Sequence, residues 1–271
     1  MSELKSAKRT MQILSLLSTN REGLTLSEIS DILEIPRSST HQLLHEMTEK
    51  KFLCQVDKKF RIGRKIFEIG ISASRNYVML DKVHSIIKEA SDRLGKVIQF
   101  GVLDQSEVVY LQKAKPQGGV PLASRMGVRL PAHATAIGKA MLANLTPSEI
   151  EETYSRQEFI RYTSNSISDY KNLVEALQSI SRKGYSEDKG EFTEGVFCLG
   201  MSVGLIPSGE LGAVSISMAN KEAETLDYDS TIKSLAEVRN KITQTYRAKY
   251  SEVIPTIETA SKMSISRYKS G

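Results

Sequence analysis

The chain lacks several features that would assign it to particular classes of protein. Its 271 residues include only 2 cysteines, Cys54 and Cys198, which give neither a disulfide framework nor metal-ligand spacing. Such sparse use of cysteine is typical of a reducing compartment, so we expect a cytoplasmic protein. No apolar run approaches the roughly 18 residues that indicate a membrane helix. The first residues include Glu3 and lack a small-residue cleavage site, which predicts a mature protein rather than a signal peptide, with no membrane partner.

Positive charge is concentrated at the N-terminal end of an otherwise ordinary composition. Hydrophobic residues make up 40% of the chain and charged residues 25%, as in globular proteins, and the length suits one large domain or two ordinary ones. Residues 1–65 hold 12 Lys/Arg against 8 Asp/Glu, and residues 50–65 hold 7 against 1. This asymmetry indicates a polyanion-binding head on a nearly neutral body. The alternative is a lysine-rich solvated surface.

The first fifty residues predict a helix-turn-helix. Apolar residues at helical spacing predict a helix over 8–19. Thr25 or Ser27 caps a second short helix over 26–34, and Pro36 suits the first turn of a third. Two short helices joined by a tight turn, the second with polar side chains in its first two turns, form this motif.

The third helix has an inward apolar face and an outward polar face. At about 100° per residue, Leu43, Leu44 and Met47 share the inward face with Thr40. Gln can pair with adenine, Arg with guanine or phosphate, and Ser or His can reach base edges or phosphates. The predicted DNA-contacting residues of this helix are Arg37, Ser38, Ser39, His41, Gln42 and His45.

A basic hairpin follows the third helix. Residues 52–63 read as two short strands around a polar turn at Asp57, which predicts a winged helix-turn-helix. The wing can place Lys58, Lys59 and Arg61 along a phosphate backbone or minor groove of double-stranded DNA. The alternative is a winged helix that contacts protein.

A metal site on the third helix is a competing interpretation. His41 and His45 have the four-residue spacing of the HExxH zinc motif. The general-base Glu of that motif is absent, and the sequence suggests no third ligand. We therefore predict no metal and no cofactor.

A helical connector separates the head from the body. The helical pattern from Arg64 to about Leu94 predicts a winged-helix domain over 1–65, a helical linker over 66–94 and a second domain over 95–250, with the tail 251–271 unassigned. The apolar stripe of the linker either pairs with its copy in a second subunit or packs on its own chain.

The body mixes strands and helices and predicts an α+β domain of the sensing type. The expected strands are 97–103, 107–114, 120–126, 195–206 and 212–219. The expected helices are 133–145, one capped at Thr146 with Pro147 in its first position, 168–183 ending at Gly184, and a long final helix over 229–250.

Several separate motifs occur in the order found in one known family. They are GLTLSEISDILEIPRSSTHQLLHEM and the wing FRIG, followed by GVRLPAHATAIGKAMLA, KGYSEDKGEFTEGVFCLGMSV and GAVSISM. Over about residues 5–250 the chain resembles the IclR family of bacterial transcription regulators. The resemblance implies an N-terminal winged helix-turn-helix, a helical linker and a C-terminal GAF-like α/β domain that binds a small effector. It also implies homodimers, or dimers of dimers, on a DNA operator.

The resemblance also implies where the effector binds. The implied residues, with Val196 added as apolar lining, are Leu130, Ala136, Ile137, Asp188, Val196, Cys198, Ser215 and Ser217. Ser215 and Ser217 lie on one side of their strand, where buried hydroxyls need partners that an acidic or hydroxylated ligand would provide. The turn after His133 would bring a ligand to a helix N-terminus, which favours anions.

The sequence departs from the family pattern at one point of this site, and several of its residues also have purely structural interpretations. Lys189-Gly190-Glu191 replaces the run of acids usual in the family, which leaves the identity of the effector open. The two serines could be ordinary strand serines and Cys198 a small core residue. Gly138 and its neighbouring alanines could serve close helix packing.

The leading hypothesis is therefore a DNA-binding transcription regulator, not an enzyme, whose operator affinity responds to a small organic ligand, a carboxylic or sugar acid. The alternative is a GAF-domain enzyme or redox sensor that uses Cys198, although that residue has no resolving partner in its domain. A third reading is an interaction module without a DNA role.

Overall fold

The computed structural model describes residues 4–74, 79–116, 122, 124–155 and 157–267, with the side chains of 73–74 and 249–267 left out. The chain divides into two compact units, Met1–Tyr77 and Val78–Gly271. The predicted linker, 66–94, is shared between them. Within the described ranges, no helix is both long and apolar enough to cross a membrane.

The N-terminal unit is a winged helix-turn-helix, which confirms the predicted fold. Its elements are α1 (Lys5–Thr19), β1 (Leu24–Thr25), α2 (Leu26–Leu33), α3 (Arg37–Glu49), β2 (Leu53–Val56), β3 (Lys59–Ile62) and α4 (Arg64–Ser74). The strands form an antiparallel sheet in the order β1-β3-β2. Strand β1 was not predicted, because two residues carry no readable periodicity. The core consists of Ile13, Leu17, Ile29, Leu44, Met47, Leu53 and Phe60.

Local hydrogen bonds fix the turn between α2 and α3. Thr25 is the cap of α2: its hydroxyl accepts from the Glu28 N–H at 3.3 Å, and the Glu28 carboxylate accepts from the Thr25 N–H at 2.7 Å. Glu34 ends α2 in the left-handed conformation with φ 52°. The buried Thr40 hydroxyl donates to the carbonyl oxygen of Ile35 at 3.3 Å, which holds the start of α3 against the turn.

The C-terminal unit is an antiparallel sheet with helices on both faces, as the α+β prediction expects. Its elements are α5 (Leu80–Leu94), β4 (Val97–Asp104), β5 (Glu107–Ala114), β6 (Arg129–Pro131), α6 (Ala136–Leu142), α7 (Pro147–Tyr154), α8 (Tyr170–Lys183), β7 (Ser186–Lys189), β8 (Val196–Leu205), β9 (Leu211–Ala219), α9 (Asn220–Ala223) and α10 (Tyr228–Arg267). The described strands run in the order β6-β5-β4-β9-β8-β7. A short 3₁₀ turn, Ala132–Ala134, leads into α6.

Each face of the sheet has its own core. Ile98, Phe100 and Ile216 lie in the core that also contains residues of α5 and α10, whereas the opposite core contains residues of α6, α7 and α8. Helix α5 falls within the predicted linker. It nevertheless contributes the fully buried Val83 and Ile87 to the first core. The second face carries the candidate ligand site.

The structure corrects the prediction of a third strand over 120–126. Residues 120, 121 and 123 lie outside the described part of the chain, and Leu122 and 124–126 are not in a strand. A turn at Gly127, with φ 78°, precedes the strand that does pair with β5, namely β6. Arg129 of β6 forms ion pairs with Asp104 and Glu107, and Leu130 of the same strand is buried.

Two further elements differ from the sequence expectation. Strand β7 was missed because Ser186–Lys189 is polar, although burial alternates along it with Ser186 and Asp188 inward. The final helix continues through Arg267, beyond the predicted end at 250 and into the tail that had no assignment.

Candidate functional site

The polar face of α3 is exposed, as its spacing predicts. Thr40, Leu44 and Met47 are buried beneath it. The predicted DNA-contacting side chains on the exposed face are Arg37, Ser38, His41, Gln42 and His45, with Ser39 half-buried at its margin. The first turn of α3 contains no acidic residue. The exposed face therefore presents hydroxyl, imidazole and amide groups and one guanidinium.

The wing is a tight hairpin with two lysines at its tip. Asp57 and Lys58 have φ of 49° and 63°, the two positive values of a type I′ turn, which matches the twist of the strands. Lys58 is exposed and Lys59 half-buried. Arg61 contacts Glu22 instead: its Nε donates to the Glu22 carbonyl oxygen at 3.2 Å, and its Nη2 lies 3.7 Å from the Glu22 carboxylate.

The two histidines of α3 do not form part of a larger cluster in the described residues. The His41 and His45 rings stack with centroids 6.5 Å apart. No group of three His, Cys, Asp or Glu side chains that could hold a metal ion occurs within the part of the chain that the structure covers.

The structure brings the eight predicted effector residues together around one cavity. These are Leu130, Ala136, Ile137, Asp188, Val196, Cys198, Ser215 and Ser217. The cavity measures about 30 Å³, which holds one or two water molecules. Sites for drug-sized ligands typically measure about 300–1,000 Å³. The cavity is therefore much smaller than such sites, and an organic ligand requires its lining to move.

The sheet register explains how distant polar residues meet at this cavity. Asp188 lies opposite Cys198, and Cys198 lies opposite Ser217, on the three adjacent strands β7, β8 and β9. Ser215 lies opposite Gln99 of β4. Directly opposed residues point to the same face of a sheet, so these strands present one polar row toward α6.

Sequence reasoning missed several residues that line the cavity. They are Gln99, Tyr110, Leu122, Ser124, Thr135, Phe192 and Thr193. Gln99, which is 3% exposed, had a readable signal, since it is the one polar residue within the apolar run VIQFGVL. Tyr110 comes to the site through the long-range pairing of β5 with β4, whereas Thr135, Phe192 and Thr193 lie close in sequence to predicted residues.

Hydrogen bonds link the polar side chains of the cavity. The Cys198 thiol donates to the Ser217 hydroxyl at 3.1 Å, and that hydroxyl donates to the Gln99 amide oxygen at 3.3 Å. The Gln99 amide nitrogen bonds to the Ser124 hydroxyl. Burial raises the pKa of the Cys198 thiol, which holds it in the protonated, weakly nucleophilic form. This state is unfavourable for the alternative in which Cys198 performs redox or nucleophilic chemistry.

Close backbone packing fixes the start of α6 beside the cavity. The Thr135 hydroxyl caps the helix by accepting from the Gly138 N–H at 3.2 Å. A Cβ on Gly138 would collide with the backbone of Ala132, and a Cβ on Gly200 would lie 2.6 Å from the Ala136 carbonyl oxygen. The close-packing interpretation of Gly138 is thus confirmed.

Replacing Gly138 with alanine is expected to destabilise the C-terminal unit by about 1–3 kcal/mol, because overpacking against backbone cannot be relieved by a side-chain rotation. Gly70→Ala is the matched control, since nothing lies within 4 Å of its added Cβ and alanine suits a helix interior. Urea unfolding of both variants checks the prediction. Equal stability of the two variants would contradict it.

Asp188, which lines the cavity, belongs to a cluster of three buried ionisable groups. Lys139 of α6 forms an ion pair with Glu191, and Asp188 Oδ1 accepts from the Glu191 N–H at 2.7 Å. Burial, followed by repulsion from Glu191, raises the pKa of Asp188 to about 7, while Lys139 opposes the shift. Burial also raises the pKa of Glu191, against the attraction of Lys139. Lys139 was not predicted as a site residue, although it is the one charged residue in the apolar helix AIGKAML.

Comparison with known proteins identifies both units. The model of the family described as "Bacterial transcriptional regulator IclR C-terminal" matches residues 73–244. The model of the "IclR helix-turn-helix domain" matches residues 6–57. The first match alone covers more than half of the chain.

Individual relatives agree with these matches. The chain is 30% identical over 216 residues to the HTH-type transcriptional regulator XynR of Escherichia coli, covering 79% of this chain and 86% of the relative. It is 27% identical over 219 residues to the Transcriptional repressor IclR of Escherichia coli, covering 79% and 80%. These relatives are described as transcription regulators, which gives the enzyme alternative no support.

Solved structures share the fold. A crystal structure of an IclR homolog from Microbacterium hydrocarbonoxydans, complexed with 4-hydroxybenzoate, aligns with a TM-score of 0.78 at 23% identity, covering 90% of this chain and 99% of the other. The Thermotoga maritima IclR aligns with a TM-score of 0.68 at 25% identity, covering 90% and 99%. The chain therefore belongs to the IclR family of bacterial transcription regulators, with a helix-turn-helix domain followed by a ligand-binding domain.

Proposed function

We propose that this regulator binds an operator in double-stranded DNA through α3 and the wing, and that a small organic acid bound in the C-terminal cavity changes its operator affinity. The observation that carries the proposal is the convergence of the eight predicted effector residues on one cavity, whose lining combines apolar and polar side chains. The 4-hydroxybenzoate bound to the Microbacterium homolog, an aromatic acid, supports this ligand class.

The DNA contacts divide into base reading and phosphate binding. Base reading falls to the exposed face of α3 (Arg37, Ser38, Ser39, His41, Gln42 and His45). The wing lysines, Lys58 and Lys59, neutralise phosphates and contribute affinity without sequence preference. Arg61 joins them only if it gives up its contacts with Glu22.

The working form is a homodimer or a dimer of dimers in the cytoplasm, where the DNA is. One winged helix contacts few base pairs, so paired heads on two half-sites supply the specificity that one head lacks. The apolar side chains of α4 support subunit pairing, since Phe67 is 70% exposed and Ile69 and Ile71 are each 46% exposed.

The effector acts by a population shift. The present cavity is too small for an organic acid, so binding selects a conformation in which its lining has opened. A ligand changes operator affinity only to the extent that it binds the two conformations with different affinity.

Gln42→Ala is expected to weaken binding to an operator selected from random DNA by about 1–3 kcal/mol, because a bidentate contact to a base is lost. Its binding to unselected DNA should change much less. The control is Gln12→Ala, which removes an exposed glutamine from α1 rather than from α3. Fluorescence anisotropy on both DNAs checks the result. An unchanged preference in the Gln42 variant would remove this residue from the base-reading set.

A further inference from the structure

We infer that Glu191 is a positioning residue, held in place by its ion pair with Lys139, that keeps a proton on Asp188 in the effector cavity, so that the cavity prefers carboxylate anions to neutral ligands. This inference rests on the proposed function, because it concerns the same cavity. It adds two residues to the site and a reason for its charge selectivity.

The geometry is a cluster of three ionisable groups removed from solvent. Lys139 is 4% exposed, Asp188 5% and Glu191 7%. One carboxylate oxygen of Glu191 bonds to the Lys139 ammonium, and the other, Oε2, is buried without a hydrogen-bond partner in the described residues. Asp188 is fixed beside this pair by the bond from the Glu191 N–H to its Oδ1, at 2.7 Å. Two carboxylates therefore share one ammonium.

The charge count of the cluster favours one bound proton. With all three groups ionised, the cluster would carry one uncompensated negative charge in the interior, which costs several kcal/mol. A single proton brings the net charge to zero. Because Glu191 is engaged with the ammonium, Asp188 is the group that takes the proton, and its pKa, raised to about 7 by burial and by Glu191, agrees.

The other groups that face Asp188 do not compensate its charge. Cys198 on β8 and Tyr110 on β5 have pKa values raised by burial and are neutral at physiological pH. Lys189, next along β7, is 65% exposed and is 3.7 Å from the Glu187 carboxylate. Lys139 is thus the one buried cation acting on Asp188 in the described structure.

The charge state of Asp188 decides which ligands the cavity accepts. A protonated Asp188 donates a hydrogen bond to a ligand carboxylate and adds no negative charge, and the hydroxyls of Thr135, Ser215 and Ser217 line the same cavity. An ionised Asp188 repels the same anion. The affinity for a carboxylate should therefore fall about tenfold per pH unit above the pH at which Asp188 titrates.

The first test follows the proton without any ligand. In carbon-13 NMR of full-length protein labelled at aspartate carboxyls, the signal that Asp188→Asn removes is expected to titrate near neutral pH. Glu191→Gln is expected to lower that midpoint by about 1–3 pH units, because a like charge is removed. Glu175→Gln, in an exposed pair on α8, should leave it unchanged.

Either of two outcomes overturns the inference. One is an Asp188 signal that titrates near about pH 4, as exposed aspartates do. The other is a midpoint that Glu191→Gln does not move. If the Glu191 variant does not fold, the test rests on the titration midpoint of Asp188 in the natural protein, with its signal assigned by Asp188→Asn.

The second test addresses the ligand class with two small probes of similar shape. Acetate is expected to perturb the Asp188 signal at pH 6 and to raise its titration midpoint, whereas neutral acetamide is not. Equal responses to the two probes, or no response to acetate, would overturn the anion preference. Neither test uses DNA, so failure of the inference is distinguishable from failure of the proposed operator binding.

Discussion

Replacing Lys139 with methionine is expected to destabilise the C-terminal unit by about 3–5 kcal/mol at pH 8, because removing one partner of a buried ion pair leaves an uncompensated charge. Methionine fits the space of the lysine stem but supplies no ammonium. Glu191, which is 7% exposed, then loses the ammonium to which it bonds, and the exposed Lys189 is the cation that still acts on its carboxylate.

The loss should depend on pH in a defined direction. Burial raises the pKa of Glu191, and removal of Lys139 raises it further, since Lys139 is the main opposing influence. A carboxyl group whose pKa is raised by folding stabilises the native state below that pKa and destabilises it as it ionises at higher pH. The variant should therefore lose less stability at pH 5 than at pH 8.

Urea unfolding at the two pH values measures both effects. The control is Lys171→Met on α8, whose side chain is 86% exposed and lies 4.0 Å from Glu175, and it should change stability by no more than about 0.5 kcal/mol. A loss in the Lys139 variant that is equal at pH 5 and pH 8 would contradict the role assigned to the buried carboxylates.

Replacing Leu44 with alanine is expected to destabilise the N-terminal unit by about 2–5 kcal/mol, the cost of emptying a fully buried leucine site. Leu44 is 1% exposed and lies in the small core of α1, α2, α3 and the wing. A domain of this size is marginally stable, so a loss of this magnitude unfolds a substantial fraction of it. DNA binding should be lost although no DNA-contacting residue has changed.

The two units should respond differently to this substitution. The C-terminal unit has its own cores, so its unfolding transition and its response to ligands should stay unchanged. Met11→Ala is the matched control, since Met11 on α1 is 65% exposed and its truncation empties no core site. Urea unfolding and DNA binding of both variants provide the measurement. A single transition that shifts as a whole would show that the units do not unfold independently.

The exposed polar face of α3 and the wing could be predicted from the sequence because both are local features. Helical periodicity over 37–49 separates the polar face from Thr40, Leu44 and Met47 without any knowledge of the rest of the fold. The hairpin of the wing could be predicted because two short apolar runs flank a polar turn that contains lysines. The contact of Arg61 with Glu22 was not readable, because it joins residues 39 positions apart across the unit.

The candidate cavity was only partly readable from the sequence. Its serines, cysteine and aspartate came from a resemblance between motifs, and the strand register then explains why they meet. Gln99 and Tyr110 join them only through the pairing of β4 with β5 and β9, which no local pattern specifies. Lys139 and Glu191 lie 52 positions apart in sequence, and the packing of α6 on the sheet brings them together. No local sequence pattern specifies that packing.

The measurement that tests the central claim most directly is the fluorescence anisotropy of the full-length protein on DNA from upstream of its own gene. The same titration is made on scrambled DNA of equal composition, with both DNAs at two salt concentrations. We expect tight binding to the upstream DNA and weaker, more salt-sensitive binding to the scrambled DNA. Equal, salt-sensitive affinity for both would contradict base reading by Arg37 to His45 and leave the winged helix as a general polyanion binder.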